Sequence, residues 1–457
     1  MGGDNVSGMG PRDGISQLTE LMRYEPVTPT PVGPPPVDPA RRRRQRRRRT
    51  TIALIVTFAI LASSGGYAAY ALTAPIGTAT LDAEAPYVDA PPLAPIALPV
   101  DGAYAVSIAG ADDYLGATAS GIWASGGGDG VRPIASISKL ITALVVLDAK
   151  PLADASDPGP TLTFDRADHA LYDKYYVLGA TIAAMPTGSS MTLHDALEAM
   201  LIVSACNYAE AVSTWAYGSQ SAFLRATKNW LAANGLTSTT IVEPTGIDPR
   251  NTSTPADLVA LAKIAMANPA IAQIVGMTTL NVPSIPAALN TNDLLGVDGI
   301  TGLKTGTLEE SGSNLLFSST LDVGTSQPLS IVGVILGGYT HDSVNGEVRA
   351  LLRSIQAGFQ TVTLGEAGQL IGTYSTPWGE SADIVLGAST SLLIWSDTEI
   401  DVSFTATSLT TGSDGDTVGS VTWTAGPDTV TAPLVLDGTI EPPDAWWRLT
   451  HPFDLGE

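Results

Sequence analysis

Between Thr50 and Leu81 the chain carries no charged side chain, and eight arginines, Arg41–Arg44 and Arg46–Arg49, stand immediately before that stretch. Few folded fates are open to such a run. Residues 51–72 are long enough, at about 1.5 Å per residue, to cross a hydrocarbon core of roughly 30 Å as one helix. Flanking arginines stay on the cytoplasmic side, so the chain beyond about residue 73 is expected to be extracellular, on a single-pass cell-membrane anchor. Ala69-Tyr70-Ala71 also reads as a small-x-small cleavage site, which would give a secreted protein after signal cleavage near Ala71. The roughly fifty residues ahead of the apolar run are long for such a leader and favour the uncleaved anchor.

The same arginines reshape the charge balance. Overall there are 23 basic and 45 acidic side chains, a formal charge of -22. Residues 1–50 hold ten arginines against five acids, and their net +5 leaves -27 for the remainder. The basic block is therefore a topological signal, and an acidic remainder excludes nucleic acid as a partner. Residues 1–50, rich in Pro, Gly and Ser without an apolar period, read as a cytoplasmic disordered basic tail. Residues 73–99, with prolines at 75, 86, 91, 92, 95 and 99, read as a semi-rigid extracellular linker. The single cysteine excludes an internal disulfide and a multi-cysteine zinc site. Histidines at 169, 194, 341 and 451 show no metal-ligand spacing, so no metal is expected.

After the linker, strand and helix patterns interleave. Tyr104–Ile108 and Ile122–Ala124 read as strands, and Ser136–Leu147 as a buried helix. Further helices are predicted over Leu193–Ala211, Phe223–Asn234 and Pro255–Ala267, the last opened by Ser253-Thr254-Pro255. Strands return at Ser313–Ser319 and at Leu329–Gly337, whose β-rich sequence suits a central position. Terminal strands enclosing a helical insert predict one α/β domain over residues 100–365. Beyond it, Ile400–Thr407, Val418–Thr424 and Thr429–Leu436 alternate between Gly/Asp turns, predicting a small C-terminal all-β, sandwich-like domain over 366–457. The last segment, with Trp446 and Trp447, reads as β-like.

Three short motifs in the α/β domain bear reactive groups. Ser136-Ile137-Ser138-Lys139 opens an apolar helix, where positions three apart share a face, so Lys139 can reach the Ser136 hydroxyl and activate it as a nucleophile. Lys304-Thr305-Gly306 suits an edge strand on which glycine lets a substrate backbone approach while ammonium and hydroxyl meet a carboxylate. Ser204-Ala205-Cys206-Asn207 places a hydroxyl able to relay a proton on an apolar stretch. Each has an ordinary reading when taken alone: a polar helix start, a glycine-rich turn, small residues in a helix contact.

Order and spacing lift the set. The steps from Ser136 to Ser204 and on to Lys304 are 68 and 100 residues, and Ser-x-x-Lys, a Ser-x-Asn-like triplet and Lys-Thr-Gly in that order form the signature of penicillin-binding proteins and serine β-lactamases. The chain resembles the D-alanyl-D-alanine carboxypeptidases, low-molecular-mass penicillin-binding proteins of serine peptidase family S11, over nearly all of residues 100–450. Arg132-Pro133-Ile134-Ala135-Ser136, Thr192–Asn207, Glu243-Pro244-Thr245-Gly246-Ile247, Ser253–Leu258 and Glu310–Leu315 carry the likeness beyond the motifs.

The resemblance implies a penicillin-binding/serine β-lactamase-like transpeptidase fold, a sheet with a helical subdomain. It implies removal of the terminal D-alanine from a peptidoglycan stem peptide ending in D-Ala-D-Ala, with β-lactam antibiotics as covalent inhibitors and no metal or organic cofactor. Ser136 would be the nucleophile and Lys139 the general base. Ser204 would pass a proton to the leaving group, and the backbone N–H groups of Ser136 and Thr307 would form the oxyanion hole. Lys304, Thr305 and Gly306 would bind the substrate. One departure stands out. Cys206 occupies the position where the family has Asn, and a thiol is a weak donor without a carbonyl. Using Asn207 instead would swing that side chain by about 100° on a helix, away from the site. The alternative function is a catalytically weak or inactive relative that binds stem peptides or β-lactams without turnover. A second departure is the anchor: many relatives attach by a C-terminal amphipathic helix, a job the N-terminal span takes over here.

Overall fold

The computed structural model describes residues 38–455; most of the tail expected over 1–50 lies outside them. They fall into two units, one made of residues up to Pro75 together with Asp444 onward, the other of Ile76–Pro443.

In the first unit, helix α1 (Pro39–Thr73) runs unbroken from the arginine block through the apolar run, with Asp38 as N-cap and Pro39 at its first position. It is long and apolar enough to cross a membrane. Its apolar side chains, such as Leu54, Ile55, Phe58 and Leu61, are exposed. The terminal Trp segment differs from its expectation: Ala445–Thr450 is a short helix capped by Asp444, and it packs against α1 rather than extending the β domain.

The second unit is built on a five-stranded antiparallel sheet. Strands β2 (Ala103–Ala109) and β3 (Ala124–Gly126) precede the helical insert; β4 (Ile300–Leu308), β5 (Gly312–Leu321) and β6 (Leu329–Gly338) follow it. The order across the sheet is β4-β5-β6-β2-β3, so the strand bearing Lys304-Thr305-Gly306 lies at an edge and β6 at the centre. The period-two pattern of β6 explains its place. Val332, Val334 and Leu336 join the core shared with the helical insert, while Leu329, Ile331 and Ile335 join the core on the opposite face.

The insert supplies four helices that matter for the site, α2 (Ser138–Ala149), α3 (Leu193–Leu201), α4 (Cys206–Tyr217) and α5 (Pro255–Ala267). Thr254 caps α5 by accepting from the Asp257 N–H, with Pro255 at the first helical position. On the other face lies α6 (His341–Gly358), whose Val344, Val348, Leu351, Leu352 and Ile355 form one buried stripe. The helix expected over Leu193–Ala211 is instead two. Between α3 and α4 the chain breaks at Ile202–Ala205, where Ser204 takes φ +66°, a left-handed conformation that a helix interior does not admit.

The β domain begins earlier on both sides than expected. Strand β1 (Thr80–Ala83), inside the expected 73–99 linker, pairs with β8 (Leu370–Ser375) and becomes an edge of a six-stranded sheet, so this part of the linker is structural. The boundary at 365 also moves. Strand β7 (Phe359–Gly365) follows directly on α6 and pairs with β10 (Thr390–Trp395) in a second, two-stranded sheet. Gly358 sits at the junction because a Cβ there would lie 2.5 Å from the Trp395 ring. The larger sheet continues through β9 (Ser381–Leu386), β13 (Asp428–Asp437), β12 (Thr417–Ala425) and β11 (Asp401–Ala406). Leu364, Leu392 and Ile394 from the small sheet share a core with Ile384, Trp423 and Leu434 from the large one, which makes the domain two packed sheets.

Candidate active site

The three motifs meet where α2, the break between α3 and α4, and edge strand β4 converge. Ser136 lies on a single 3-10 turn, Ala135–Ile137, that feeds α2. Ser138 to Leu147 are all buried, and apolar burial at about 1.5–3 kcal/mol per aliphatic side chain clamps the helix in place. Lys139 is therefore fixed as well as buried. Its Nζ donates to Ser136 Oγ at 3.0 Å and to the Thr245 carbonyl at 2.7 Å.

Two glycines permit this packing. Gly246 has φ +83°, and a Cβ there would lie 1.9 Å from the Ala135 carbonyl oxygen. A Cβ on Gly306 would stand 2.9 Å from the Ile134 carbonyl oxygen and 3.1 Å from the Ser136 nitrogen. Glycine at 306 thus lets β4 run directly beside the Ser136 turn. Ala135 itself has φ +48°, so non-glycine residues in the left-handed region occur next to Ser136 and at Ser204.

Lys304 is 1% exposed and donates to the Thr305 carbonyl at 3.2 Å and to Thr291 Oγ1 at 3.5 Å. Burial first, and the Lys139 ammonium second, push its pKa down to about 7, while Cys206 is near enough to oppose that shift. Thr305 Oγ1 donates to Thr291 Oγ1 at 2.7 Å. The Ser204 hydroxyl is buried with no hydrogen-bond partner among the described residues. Cys206 is a free, buried thiol, and its backbone N–H donates to the Thr181 carbonyl. Asn207 grips Ala183 instead, its Oδ1 accepting from the Ala183 N–H at 3.1 Å and its Nδ2 donating to the Ala183 carbonyl at 2.8 Å. That side chain is committed to the fold.

Several residues of the site are absent from the motif reading. Glu243 gathers the loop that presents Thr245 to Lys139. One carboxylate oxygen accepts from the Thr245 N–H at 2.7 Å and its hydroxyl at 2.6 Å, the other from the Gly246 N–H at 2.5 Å and Asn251 Nδ2 at 3.1 Å. Asn251, fully buried, also donates to Ser138 Oγ at 3.0 Å and accepts from the Val242 N–H at 2.7 Å. Asn314 ties the sheet to the chain before Ser136, donating to the Pro133 carbonyl at 3.2 Å and accepting from the Gly337 N–H at 2.8 Å. Thr307 Oγ1 pairs with His341 Nε2 at 2.5 Å. Burial chiefly, with Lys304 adding to it against Asp293 and Asp342, lowers the His341 pKa. Glu243-Pro244-Thr245-Gly246-Ile247 was visible as a resemblance; its hydrogen-bonding role was not.

Away from this cleft, His194, Asp195 and Glu198 bring ligand-type atoms within 4.8 Å of one another, a grouping the histidine spacing did not reveal. Asp195 is spent on the Thr192 capping box of α3, and His194 Nδ1 is paired with Glu198 at 3.1 Å.

Known proteins share both the sequence and the fold of this region. Residues 115–337 match the family model described as D-alanyl-D-alanine carboxypeptidase. The D-alanyl-D-alanine endopeptidase of Escherichia coli K12 is 30% identical over 221 residues, covering 47% of this chain and 67% of that protein. The D-alanyl-D-alanine carboxypeptidase DacD of the same organism is 26% identical over 260 residues, covering 56% and 65%. In fold, the chain is similar to penicillin binding protein 6B of E. coli, with a TM-score of 0.52 at 21% identity over 76% of this chain and 99% of that one. It is similar also to DacD of Francisella tularensis, with a TM-score of 0.51 at 16% identity. The Ser136 turn, buried lysine pair and edge strand thus sit on a shared fold, and the chain belongs to the D-alanyl-D-alanine carboxypeptidase family of serine peptidases.

Proposed function

We propose that the protein is a serine-type D-alanyl-D-alanine carboxypeptidase that trims peptidoglycan stem peptides through an acyl-enzyme on Ser136. The observation that carries this reading is Lys139 Nζ held between Ser136 Oγ and the Thr245 carbonyl, with a second buried lysine, Lys304, beside it. Ser136 Oγ attacks the carbonyl carbon between the two D-alanines while its proton passes to Lys139 as general base. The carbonyl oxygen, now negative, is met by the N–H groups of Ser136 and Thr307. The C–N bond breaks, and the departing D-alanine nitrogen takes the proton through Ser204, whose hydroxyl has no competing partner among the described residues. Water then attacks the acyl carbon and frees Ser136. Lys304 and Thr305, with Gly306 leaving room for the backbone, hold the terminal carboxylate. β-Lactams acylate the same oxygen. The helix α1 anchors the chain with its arginines on the cytoplasmic side and the catalytic domain outside.

Burial, and then the neighbouring Lys139, lower the Lys304 pKa to about 7. The reaction needs Lys304 in its acid form. The kcat/KM for D-alanine release from a soluble stem pentapeptide is therefore expected to fall as pH rises through about 7, where Lys304 loses the charge that holds the terminal carboxylate. Penicillin labelling without any D-alanine release would favour the non-turnover alternative. Because three relatives are named endopeptidases, a cross-linked stem dimer belongs in the same assay, where its cleavage would extend the substrate class at the same Ser136.

Cys206→Asn is expected to leave D-alanine release equal or higher, because the amide restores a donor and an acceptor beside the lysine pair. A loss of tenfold or more would give the thiol a role of its own.

A further inference from the structure

The last turns of α1 are not a bare helix end. The short helix α7 (Ala445–Thr450) lies against them, with Tyr67 Oη donating to the Leu449 carbonyl at 2.6 Å. Arg448 donates to the Ala74 carbonyl at 2.9 Å and to the Leu72 carbonyl at 3.4 Å. A C-terminal helix end offers unpaired carbonyls and a partial negative charge, and a guanidinium satisfies both. The chain's C-terminal segment thus caps its N-terminal helix.

Around this junction four aromatic side chains are exposed, together with Leu72 and the polar Asp444, Thr450, His451 and Asp454. Trp446 is 73% exposed and Phe453 92%, beside Tyr70 at 55% and Tyr67 at 40%. Trp447 is stacked on His451 with ring centroids 4.7 Å apart. Their depth follows from helix length. Counting from Arg49, the last charge before the apolar run, Tyr67 and Tyr70 lie about 27–32 Å along the axis at 1.5 Å per residue. That distance matches a hydrocarbon core of roughly 30 Å, so the tyrosines fall at its far edge. Aromatic rings with one apolar and one polar end collect at that level.

We propose that α7, with Trp446 and Phe453, is a second membrane contact that lies in the outer lipid interface and is locked to the exit of α1 by Arg448 and Tyr67. The occupant of this aromatic face is the phospholipid headgroup and upper acyl layer of the bilayer that α1 crosses. The inference rests on the reading of α1 as a membrane span. Its consequence is mechanical: both ends of the extracellular chain are held at the membrane surface.

The test uses the full chain in phosphatidylcholine/phosphatidylglycerol vesicles, labelled with NBD at Trp446→Cys or, separately, at Phe453→Cys; native Cys206 is 2% exposed and buried from the label. The expected result is blue-shifted NBD emission, quenched at least twofold more by lipid spin-labelled at acyl position 5 than at position 12. Emission typical of water and unquenched by either lipid, in a chain that resists carbonate extraction, would overturn the proposal. So would emission shielded from iodide but unquenched by lipid, which would mean a protein partner. Extraction of the chain by carbonate would instead sink the span reading, and the inference with it. Adding Arg448→Ala to either labelled chain is expected to shift emission toward that of water, and an unchanged spectrum would contradict the locking contact.

Discussion

Ser136→Ala is expected to lower D-alanine release at least ~10³-fold while the protein remains folded. The size follows from the arrangement of the nucleophile. Ser136 Oγ is the hydroxyl that Lys139 Nζ contacts, at 3.0 Å, and the partnerless Ser204 Oγ sits at a break between helices, in a strained left-handed residue. Removing Oγ leaves no atom to carry the acyl group. Folding should be little affected, because Ser136 stands on a 3-10 turn whose buried members are Ala135 and Ile137. Circular dichroism and thermal unfolding close to those of the parent chain, together with lost turnover, make the expected pair. Retained turnover would remove Ser136 from the mechanism.

Glu243→Gln carries the second largest effect, although Glu243 touches no reacting atom. Its carboxylate accepts four hydrogen bonds between 2.5 and 3.1 Å, from Thr245 twice, Gly246 and Asn251. A glutamine keeps one acceptor oxygen and turns an NH2 group toward N–H donors, so at least one oxygen's worth of bonds is lost and a clash of donors replaces it. Hydrogen bonds to a charged group contribute about 1.5–3 kcal/mol each, and the half-buried site makes destabilisation by about 2–3 kcal/mol the expected outcome. The loop then loosens where it matters: Thr245 gives its carbonyl to Lys139, and Gly246 must lie against Ala135. We expect kcat to fall about 10–100-fold with KM changed less than threefold, since positioning of the base is lost and the substrate-binding strand is untouched. A kcat within twofold of the parent chain would make Glu243 purely structural. A large rise in KM alone would place it in substrate binding.

These two residues differ in how far they could be read from the sequence. Ser136 and Lys139 are three apart on one helix face, so local geometry brings them together before any tertiary contact is known. The edge position of Lys304 and the central position of β6 were legible too, because glycine spacing and β-branched runs mark them. Glu243 was quoted only as part of a likeness, since its role depends on a loop folding back 106 residues away from Lys139. The helix break at Ser204 was missed because an apolar period continues through it; the left-handed residue leaves no mark in hydropathy. Strand β1 was hidden inside a proline-rich stretch, where its partner, Leu370–Ser375, lies nearly three hundred residues on. Pairing at that distance is a property of the fold, and composition does not report it. The Trp446 segment reads as β-like by aromatic content, yet Asp444 at its N-cap and the packing surface of α1 make it helical.

In the proposed mechanism one oxygen, Ser136 Oγ, carries the acyl group. The direct measurement is mass spectrometry of the chain quenched in acid during reaction with benzylpenicillin, followed by proteolysis and fragment mapping. One adduct of the penicilloyl mass is expected, on the peptide containing Ser136, and none in Ser136→Ala. An adduct on Ser204, on Cys206 or on either lysine, or labelling that survives in Ser136→Ala, would contradict it.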